Sequence, residues 1–269
     1  MCLIALAWKA HPRYTLAVIA NRDELHARPA APAGFDPERR DIYGGRDLVA
    51  GGSWLLASSR RRFSAVTNVR AGRPEGASPR SRGALVHDFV AGEYDTASWL
   101  SGLSVTADDY GRFNQLAWDG DRLGFASNHP GFVARDVAPG LHAMSNGAFD
   151  APWPKSGHAS RALSDWLDDP ASTARDADDV RSLAPLLDAL AESTPAPDDA
   201  LPDTGVGLAL ERALSPAFVK DATYGTRCST IVLVEADAIG FYERRFDPAG
   251  RIVGDAMQVL ASPPGSARR

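Results

Sequence analysis

The sequence has 269 residues, of which 44% are hydrophobic and 23% are charged, with a formal net charge of −5. This composition is typical of a globular protein of one or two domains, and the negative charge argues against a general nucleic-acid binder. No run of 18 apolar residues predicts a membrane span, no signal peptide is indicated, and two distant cysteines make no disulfide framework, so we expect a cytoplasmic location.

The second residue is a cysteine, and this position gives it a special chemistry if Met1 is removed. Cys2 would then carry a thiol and an α-amine on one residue. The amine has a pKa of about 7.7–8.0, so part of it is unprotonated near neutral pH. It can accept the thiol proton, which is how N-terminal nucleophiles are activated. The alternative is that Cys2 is a small buried apolar residue at the start of a strand.

The first two predicted strands form a hairpin that returns to Cys2. Residues 3–8 and 14–20 are apolar runs separated by a polar turn with a proline. The second strand leads into Asn21, Arg22 and Asp23, which the hairpin carries back to the end of the sheet where Cys2 begins. The sequence therefore predicts a thiol, a guanidinium and a carboxylate in one place.

The next segment predicts little regular structure. Residues 25–45 contain three prolines and little periodicity, which is typical of a long loop that either covers a site or follows the surface. Residues 44–54 contain four glycines, but their spacing matches neither the dinucleotide motif nor the P-loop. We predict a tight turn between short strands there, with Trp54 in the core.

The middle of the chain predicts hairpins and short helices. The expected elements are a hairpin of residues 53–57 and 63–69, a loop at 71–82, helices at 85–90 and 97–103, and a hairpin of 113–118 and 123–127.

The last 130 residues combine further strands and helices. The expected elements are a strand at 141–147, helices at 153–167 and 180–191, a surface linker at 193–204, paired strands at 228–234 and 239–246, and a disordered tail at 262–269. This mixture predicts an α+β protein, with residues 1–261 as a single domain.

The second cysteine follows Arg227 directly. Successive side chains on a strand point to opposite faces, so if Arg227 faces the nucleophile, Cys228 faces away from it. We therefore predict that Cys2 and Cys228 are not bonded to each other.

Eight short segments spread over residues 1–260 carry a resemblance. They are Met1-Cys2, Asn21-Arg22-Asp23-Glu24, Arg28-Pro29, Ala50-Gly51-Gly52-Ser53-Trp54, Thr67-Asn68-Val69-Arg70, Ser145-Asn146-Gly147, Pro152-Trp153-Pro154-Lys155 and Tyr224-Gly225-Thr226-Arg227. Together they resemble the NRDE family, also called the transport-and-Golgi-organisation protein family. That family resembles N-terminal-nucleophile (Ntn) hydrolases of the penicillin V acylase and bile-salt hydrolase type. The resemblance implies a four-layer αββα sandwich of two antiparallel sheets.

The resemblance also implies a reaction, the hydrolysis of a non-peptide C–N bond in an acyl amide without a metal or other cofactor. Cys2 would attack the carbonyl carbon, and its own α-amine would accept and later return the proton. Asp23 would bind and orient that amine, with Asn21 as a second candidate.

Four further residues have implied roles. Arg22 and Arg227 would supply positive charge that favours the thiolate and holds a substrate carboxylate. Asn146 would donate to the oxyanion, with Asn68 as the weaker choice, and one such donor supplies about 2.7–4 kcal/mol.

The chain departs from the hydrolases at one point. Their arginine and aspartate are separated by two residues, whereas Arg22 and Asp23 are adjacent. Adjacent side chains on a strand point to opposite faces, so both can serve Cys2 only where the strand bulges or ends.

Two alternatives keep the fold without the reaction. In the first, the protein is a carrier for haem or a lipid-like ligand, with His26, His142 or Cys2 as the contact, although no Cys-x-x-Cys-His attachment motif is present. In the second, it is a structural protein with no site. If the protein is an amidohydrolase or a carrier, its partner is a small molecule. The sequence leaves the oligomeric state open.

Overall fold

The computed structural model describes residues 2–72, 76–170 and 180–262. Its strands, in chain order, are β1 (Cys2–Trp8), β2 (Leu16–Leu25), β3 (Ala30–Phe35), β4 (Ile42–Asp47), β5 (Leu55–Ser58), β6 (Arg62–Asn68), β7 (Phe113–Trp118), β8 (Leu123–Ser127), β9 (Val133–Asp136), β10 (Gly140–Met144), β11 (Tyr224–Val234), β12 (Ala238–Phe246) and β13 (Ile252–Ala261).

The helices are short and begin at residues suited to that position. They are α1 (Arg82–Ala91), α2 (Thr96–Thr106), α3 (Pro154–Asp168), α4 (Ala184–Leu190) and α5 (Leu208–Ala213). The side chains of Ser81 and Asp95 accept hydrogen bonds from backbone N–H groups in the first turns of α1 and α2. Proline opens α3, where its missing N–H costs nothing. None of the helices in the described ranges is long and apolar enough to span a membrane.

The strands form two antiparallel sheets. The first has six strands in the order β10-β1-β2-β11-β12-β13, and the second has seven in the order β3-β4-β5-β6-β7-β8-β9. Buried side chains from both, such as Leu6, Val18, Phe63 and Trp118, form a shared core between the sheets. Because both faces of the central strands are covered, β1 is apolar almost throughout.

Helices cover the outer face of each sheet. Leu163 of α3 and Leu190 of α4 pack against Leu3 and Ile19 of the first sheet. Helices α1 and α2 cover the second sheet through a separate apolar cluster that includes Phe89. The predicted αββα sandwich of two antiparallel sheets is therefore confirmed.

The prediction of a loop at residues 25–45 is wrong, since β2 continues to Leu25 and both β3 and most of β4 lie in this range. β3 is an edge strand of the seven-stranded sheet. Edge strands tolerate proline because one side of the strand makes no ladder hydrogen bonds, so Pro32 is accommodated.

Two other edge strands and one helix were not predicted. β9 is exposed at every position, and β13 is exposed or half-buried along most of its length. Alternating burial is what makes a strand recognisable in a sequence, and an exposed edge strand lacks it. α5 has only six residues, too few for a helical period to show.

Most of the other predicted elements are present. Residues 73–75 of the predicted loop at 71–82 lie outside the described residues, and the predicted linker at 193–204 contains a 3-10 turn (Asp198–Ala200). Both hairpins, the helices at α1, α2 and α3, and the long strands β11 and β12 lie within a few residues of the predicted positions. Residues 180–190 form a 3-10 turn followed by α4. The predicted tail lies outside the described residues from residue 263 onward.

Candidate functional site

An open cleft of about 1200 Å³ lies at the end of the first sheet, where β1 begins. Cys2 contributes to its wall together with Arg22, Asp23 and Asn68. Four of the residues predicted for the site therefore face one cavity. Trp54, which we predicted in the core, is half-buried, packs against the core and also lines the cleft.

The strand register places Cys2 in a row across the first sheet. Cys2 is directly opposite Arg22, and Arg22 is directly opposite Cys228. Directly opposite residues share a face, so all three side chains point toward the second sheet. We expected Cys228 to face away on the condition that Arg227 faces the nucleophile, and this condition is not met, because Arg227 does not line the cleft. A bulge between Thr226 and Cys228 changes the register, which alternation alone cannot foresee.

Both cysteines are nevertheless free thiols. One strand lies between them, which corresponds to a Cα separation of roughly 9–10 Å at the usual strand spacing. A disulfide requires less than about 7 Å. The spacing of the strands, rather than opposite faces, keeps Cys2 and Cys228 apart.

Arg22 is held close to Cys2 and is only 6% exposed. Its guanidinium carbon lies 4.3 Å from the centre of the Trp54 ring, and its Nη2 is 3.7 Å from Glu24 Oε2. Its Nη1 is buried and has no hydrogen-bond partner in the part of the chain that the structure describes. A buried donor beside a cleft can bind a ligand acceptor.

The position of Trp54 depends on a glycine. A Cβ atom at Gly45 would lie 2.2 Å from the Trp54 ring, so no larger residue fits there without moving the indole. Gly45 thereby allows Trp54 to lie against the backbone and present its ring to Arg22.

Asp23 lies on the other face of β2, toward the helix layer, and is 1% exposed. Its Oδ1 accepts a hydrogen bond from Thr226 Oγ1 at 2.7 Å. β1 begins at Cys2, so this strand end has access to both faces of β2, and the Asp23 backbone N–H hydrogen-bonds the Cys2 sulfur. Because β1 begins here, Arg22 and Asp23 can both approach Cys2, although they are adjacent and point to opposite faces of β2.

Burial dominates the electrostatics of the two central groups. It raises the pKa of the Cys2 thiol, while the Asp23 carboxylate raises it further and the charge of Arg22 lowers it. Burial also raises the pKa of Asp23, against the lowering effects of Lys155 and the Thr226 hydrogen bond. The thiol therefore holds its proton at rest, and a base must remove it when the thiol attacks.

Asn68 and Asn146 are hydrogen-bonded to each other, and they differ in their positions relative to the cleft. Asn146 is fully buried, and its Nδ2 donates to both the backbone carbonyl and the side-chain Oδ1 of Asn68, each at 3.0 Å. These two bonds use both donors of the Asn146 amide. Asn68 lines the cleft, and the bond to its Oδ1 fixes the orientation of its own amide group.

Asn21 and Arg227 lie outside the cleft wall. The Asn21 amide donates to the carbonyls of Leu190 and Ala217, both at 2.8 Å, and accepts from Ser229, which joins the sheet to the helix layer. The Nη1 of Arg227 donates to three backbone carbonyls at and just after the end of β2, those of Leu25, His26 and Arg28.

Some residues near Cys2 entered the sequence analysis only as parts of the resemblance segments or not at all. Lys155 is buried at the start of α3 and is electrostatically coupled to Asp23 and Cys2. Arg70 forms a buried ion pair with Glu211 of α5. Tyr224 has a pKa raised well above its usual value by burial and by the nearby Asp23 and Cys2. Of these residues, Lys155 is the one that the sequence could have indicated, because a lysine is unusual in the first turn of a predicted helix.

The proposed haem contacts are not brought together. Both ring nitrogens of His142 are engaged, by Asp150 and by the Ala138 carbonyl, each at 2.8 Å. His26 Nε2 lies 2.9 Å from the carbonyl of Asp221. Among the described residues, no group of three or more histidine, cysteine or acidic side chains could hold a metal ion.

Sequence comparisons give a consistent result. The sequence matches the family described as Transport and Golgi organisation 2 over residues 1–248. The Transport and Golgi organization 2 homolog of Mus musculus is 31% identical over 260 residues, covering 91% of this chain and 92% of that protein. The Homo sapiens homolog is 31% identical over 261 residues with the same coverage. The Drosophila melanogaster protein is 26% identical over 265 residues, covering 88% and 89%.

Two solved structures are also similar. The N-acylethanolamine-hydrolyzing acid amidase ortholog of Caenorhabditis elegans aligns with a TM-score of 0.47 at 9% identity, covering 86% of this chain and 92% of that one. A mutant of the conjugated bile acid hydrolase of Clostridium perfringens aligns with a TM-score of 0.46 at 8% identity, covering 96% and 92%.

Proposed function

The chain belongs to the Transport and Golgi organisation 2 family, and from the geometry of its cleft we propose that it is an amidohydrolase with Cys2 as the nucleophile. It acts on a non-peptide C–N bond of an acyl amide. The observation that carries the proposal is the position of Cys2: it begins a strand, lines an open cleft, and lies between Arg22 on one face of the sheet and Asp23 on the other.

The reaction requires that Met1 is removed, so that Cys2 has a free α-amine. The amine accepts the thiol proton as the sulfur attacks the amide carbon and forms a tetrahedral intermediate. When this intermediate collapses, the C–N bond breaks and the α-ammonium gives its proton to the leaving nitrogen. A thioester remains on Cys2. Water then attacks the thioester, and the α-amine accepts a proton from that water. The carboxylic acid is released as the C–S bond breaks, and the α-ammonium returns its proton to the sulfur.

Asp23 and Arg22 support this cycle from opposite sides. Asp23 stabilises the α-ammonium that forms when the amine takes up the thiol proton. The charge of Arg22 lowers the pKa of the thiol, and its Nη1, which has no partner within the described ranges, is available to a polar group of the substrate.

Asn68 acts on the oxyanion directly, and Asn146 acts through Asn68. The Asn68 amide faces the cleft and donates to the oxygen on which charge develops, and Asn146 fixes the orientation of that amide. Arg227 holds the chain after β2, and Asn21 ties β2 to the helix layer, so we propose that both position the site indirectly.

The carrier hypothesis is the second candidate, and the size of the cleft is the observation that favours it. About 1200 Å³ exceeds what a small amide needs and lies above the usual range of ligand pockets, about 300–1,000 Å³. Of the three contacts considered for haem, Cys2 lines this cleft, whereas both ring nitrogens of His142 are occupied.

One set of experiments separates the two hypotheses. Intact mass of the purified protein shows whether Met1 is removed, and a panel of N-acyl amides is then tested for release of the amine. We expect Cys2→Ala to lower hydrolysis by about 10³-fold or more. The matched control is Cys228→Ala, which removes the other thiol and leaves hydrolysis near the wild-type rate.

Two results would overturn the amidohydrolase. The first is retention of Met1 in the purified protein. The second is hydrolysis by the Cys2→Ala variant at the wild-type rate. A ligand that copurifies with the protein equally well in wild type and Cys2→Ala, with no hydrolysis of any amide, would support the carrier.

A further inference from the structure

The bulge in β11 decides which side chain lies opposite Asp23. Cys228 is opposite Arg22, so an uninterrupted antiparallel ladder would place Arg227 opposite the next residue of β2, Asp23. The bulge makes Arg227 an extra residue, and Thr226 is opposite Asp23 instead. Because directly opposite residues share a face, Thr226 lies with Asp23 on the face toward the helix layer. Asp23 thus meets a short hydroxyl side chain rather than a guanidinium.

The hydrogen bonds of the Thr226 hydroxyl have a defined direction. The backbone N–H of Val219 donates to Thr226 Oγ1 at 2.9 Å, so the hydroxyl accepts this bond through one of its lone pairs. Its own proton is donated to Asp23 Oδ1 at 2.7 Å. The backbone N–H of Thr226 also donates to the carbonyl of Val219 at 2.9 Å. The hydroxyl is therefore anchored to the backbone on one side and donates to a carboxyl oxygen on the other.

A glycine allows the chain around Val219 to approach β11 closely enough for these bonds. A Cβ atom at Gly225 would lie 2.8 Å from the carbonyl oxygen of Val219, which is too short for two non-bonded atoms. Val219, Thr226 and Asp23 are all buried, so water does not compete for the hydrogen bonds between them. A buried hydroxyl that is held by the backbone is a rigid donor to Asp23.

Charged and titratable groups from the neighbouring elements also face Asp23. They are Arg22 on its own strand, Cys2 on β1, Lys155 on α3 and Tyr224 on β11. Burial raises the pKa of Asp23, and the hydrogen bond from Thr226 opposes this rise. A donor to a carboxylate stabilises its ionised form, which is the form that binds an ammonium group.

We propose that Thr226 is a positioning residue of the amidohydrolase, whose backbone-anchored hydroxyl fixes the Asp23 carboxylate beside Cys2. This inference rests on the proposed function for its purpose. Asp23 lines the same cleft as Cys2, and its carboxylate holds the α-ammonium that forms during the reaction. Loss of the hydroxyl lets the carboxyl group turn and removes a donor to its charged form. Asp23 then takes up a proton at higher pH and holds the ammonium less well.

The direct test compares two substitutions of Thr226. Thr226→Val keeps the shape of the side chain and removes the hydroxyl, whereas Thr226→Ser keeps the hydroxyl. The side-chain carboxyl of Asp23 is followed by carbon NMR in protein with labelled aspartate, and Asp23→Asn identifies its signal. We expect Thr226→Val to raise the midpoint of the Asp23 titration by about one pH unit, and Thr226→Ser to keep it near the wild-type value. The matched control is Thr230→Val, which removes an equally buried hydroxyl of β11 opposite Ala20 and should leave the midpoint unchanged.

Hydrolysis of an amide gives the second readout. Asp23 acts on an ammonium that forms during the reaction, so the loss in Thr226→Val should fall on kcat, by roughly 10–100-fold, with KM little changed. The acidic limb of kcat/KM should move upward with the midpoint of the Asp23 titration. Thr226→Ser should restore both quantities. A wild-type pH profile in Thr226→Val, or an equal loss in Thr226→Ser, would overturn the inference.

The methyl signal of Thr226 serves if Thr226→Val does not fold. In the wild-type protein this signal should change with the same midpoint as the Asp23 carboxyl, because one hydrogen bond joins the two side chains. The methyl signal of Thr230 should show no step at that midpoint. A Thr226 methyl signal that is unaffected when Asp23 titrates would refute the role of the hydroxyl.

Failure of this inference is distinguishable from failure of the amidohydrolase. The NMR measurements need neither Met1 removal nor a substrate. A raised Asp23 midpoint in Thr226→Val together with retained Met1 would reject the catalytic purpose of Thr226 along with the amidohydrolase. Hydrolysis of an amide, with an Asp23 midpoint that is unchanged in Thr226→Val, would reject Thr226 alone.

Discussion

Two charged clusters flank Cys2, and they differ in how their charges are balanced. The first, the paired cluster, lies toward the helix layer and consists of Asp23, Lys155, Arg70 and Glu211. Arg70 and Glu211 form a buried ion pair, and Glu211 also accepts hydrogen bonds from both the backbone N–H and the hydroxyl of Thr204. The second, the inter-sheet cluster, consists of Arg22, Cys228, Glu243 and Arg245, which share the face that points toward the second sheet.

The hydrogen bonding of the inter-sheet cluster is less complete. Arg22 Nη1, Glu243 Oε2 and Arg245 Nε are buried without a hydrogen-bond partner within the described ranges. Buried polar atoms are nearly always hydrogen-bonded, so these three atoms are unusual. Of the four residues of the inter-sheet cluster, Arg22 lines the cleft.

The largest expected effect is a loss of protein stability when the ion pair of the paired cluster is broken. Arg70→Met leaves the Glu211 carboxylate, which is 3% exposed, buried without its cation. We expect the free energy of unfolding to fall by about 3–5 kcal/mol, measured by urea denaturation. The matched control is Arg244→Met, which breaks an ion pair with Asp255 that is more exposed, and should cost about 1 kcal/mol or less. A loss for Arg70→Met no larger than that of the control would contradict the difference between the clusters.

The second prediction uses the pKa of the Cys2 thiol to probe the charges of Arg22 and Asp23 on the two faces of β2. Arg22 lowers the thiol pKa and the Asp23 carboxylate raises it. Arg22→Met should therefore shift the midpoint of iodoacetamide alkylation upward, and Asp23→Asn should shift it downward, each by about one pH unit. Mass spectrometry of the Cys2 peptide gives the rate at each pH, and an added peptide with an exposed cysteine serves as the reference.

The control for this prediction is Arg227→Met. The Arg227 guanidinium is bonded to backbone carbonyls after β2, so its removal should leave the alkylation midpoint of Cys2 unchanged. Shifts of the same sign in Arg22→Met and Asp23→Asn would show that the two sides do not act oppositely on the thiol.

The smallest expected effect concerns Glu243. Burial raises its pKa, so the folded protein binds this proton more tightly than the unfolded chain does. The contribution of Glu243 to stability is therefore complete below its unfolded pKa of about 4.3 and is lost as the pH rises through the raised folded value. Glu243→Gln removes this dependence, and we expect its free energy of unfolding at pH 7 to equal or exceed that of wild type by about 1 kcal/mol.

This prediction is checked by unfolding measurements between pH 4 and pH 8. The exposed Glu38→Gln should reproduce the wild-type pH dependence. A steeper loss of stability with rising pH in Glu243→Gln than in wild type would reverse the assignment, since it would show that the folded state favours the charged form of Glu243.

Much of the fold could be predicted because it depends on residues close together in the sequence. The apolar runs of β1, β2 and β11 mark strands that are buried on both faces, and the short turns between β5 and β6 and between β7 and β8 mark hairpins. The resemblance to the NRDE family is confirmed by the match over residues 1–248. Cys2, Arg22 and Asp23 were found because one hairpin joins them.

The tertiary structure decided what depends on distant partners. The bulge in β11 set the face of Cys228, Asn146 fixed Asn68 across 78 residues, and Gly45 placed Trp54 against Arg22. Lys155 is buried because α3 packs on the first sheet. A sequence pattern records burial and local conformation over neighbouring residues, whereas the charge and hydrogen-bond partners of a buried polar group come from whichever elements the folded chain packs against it.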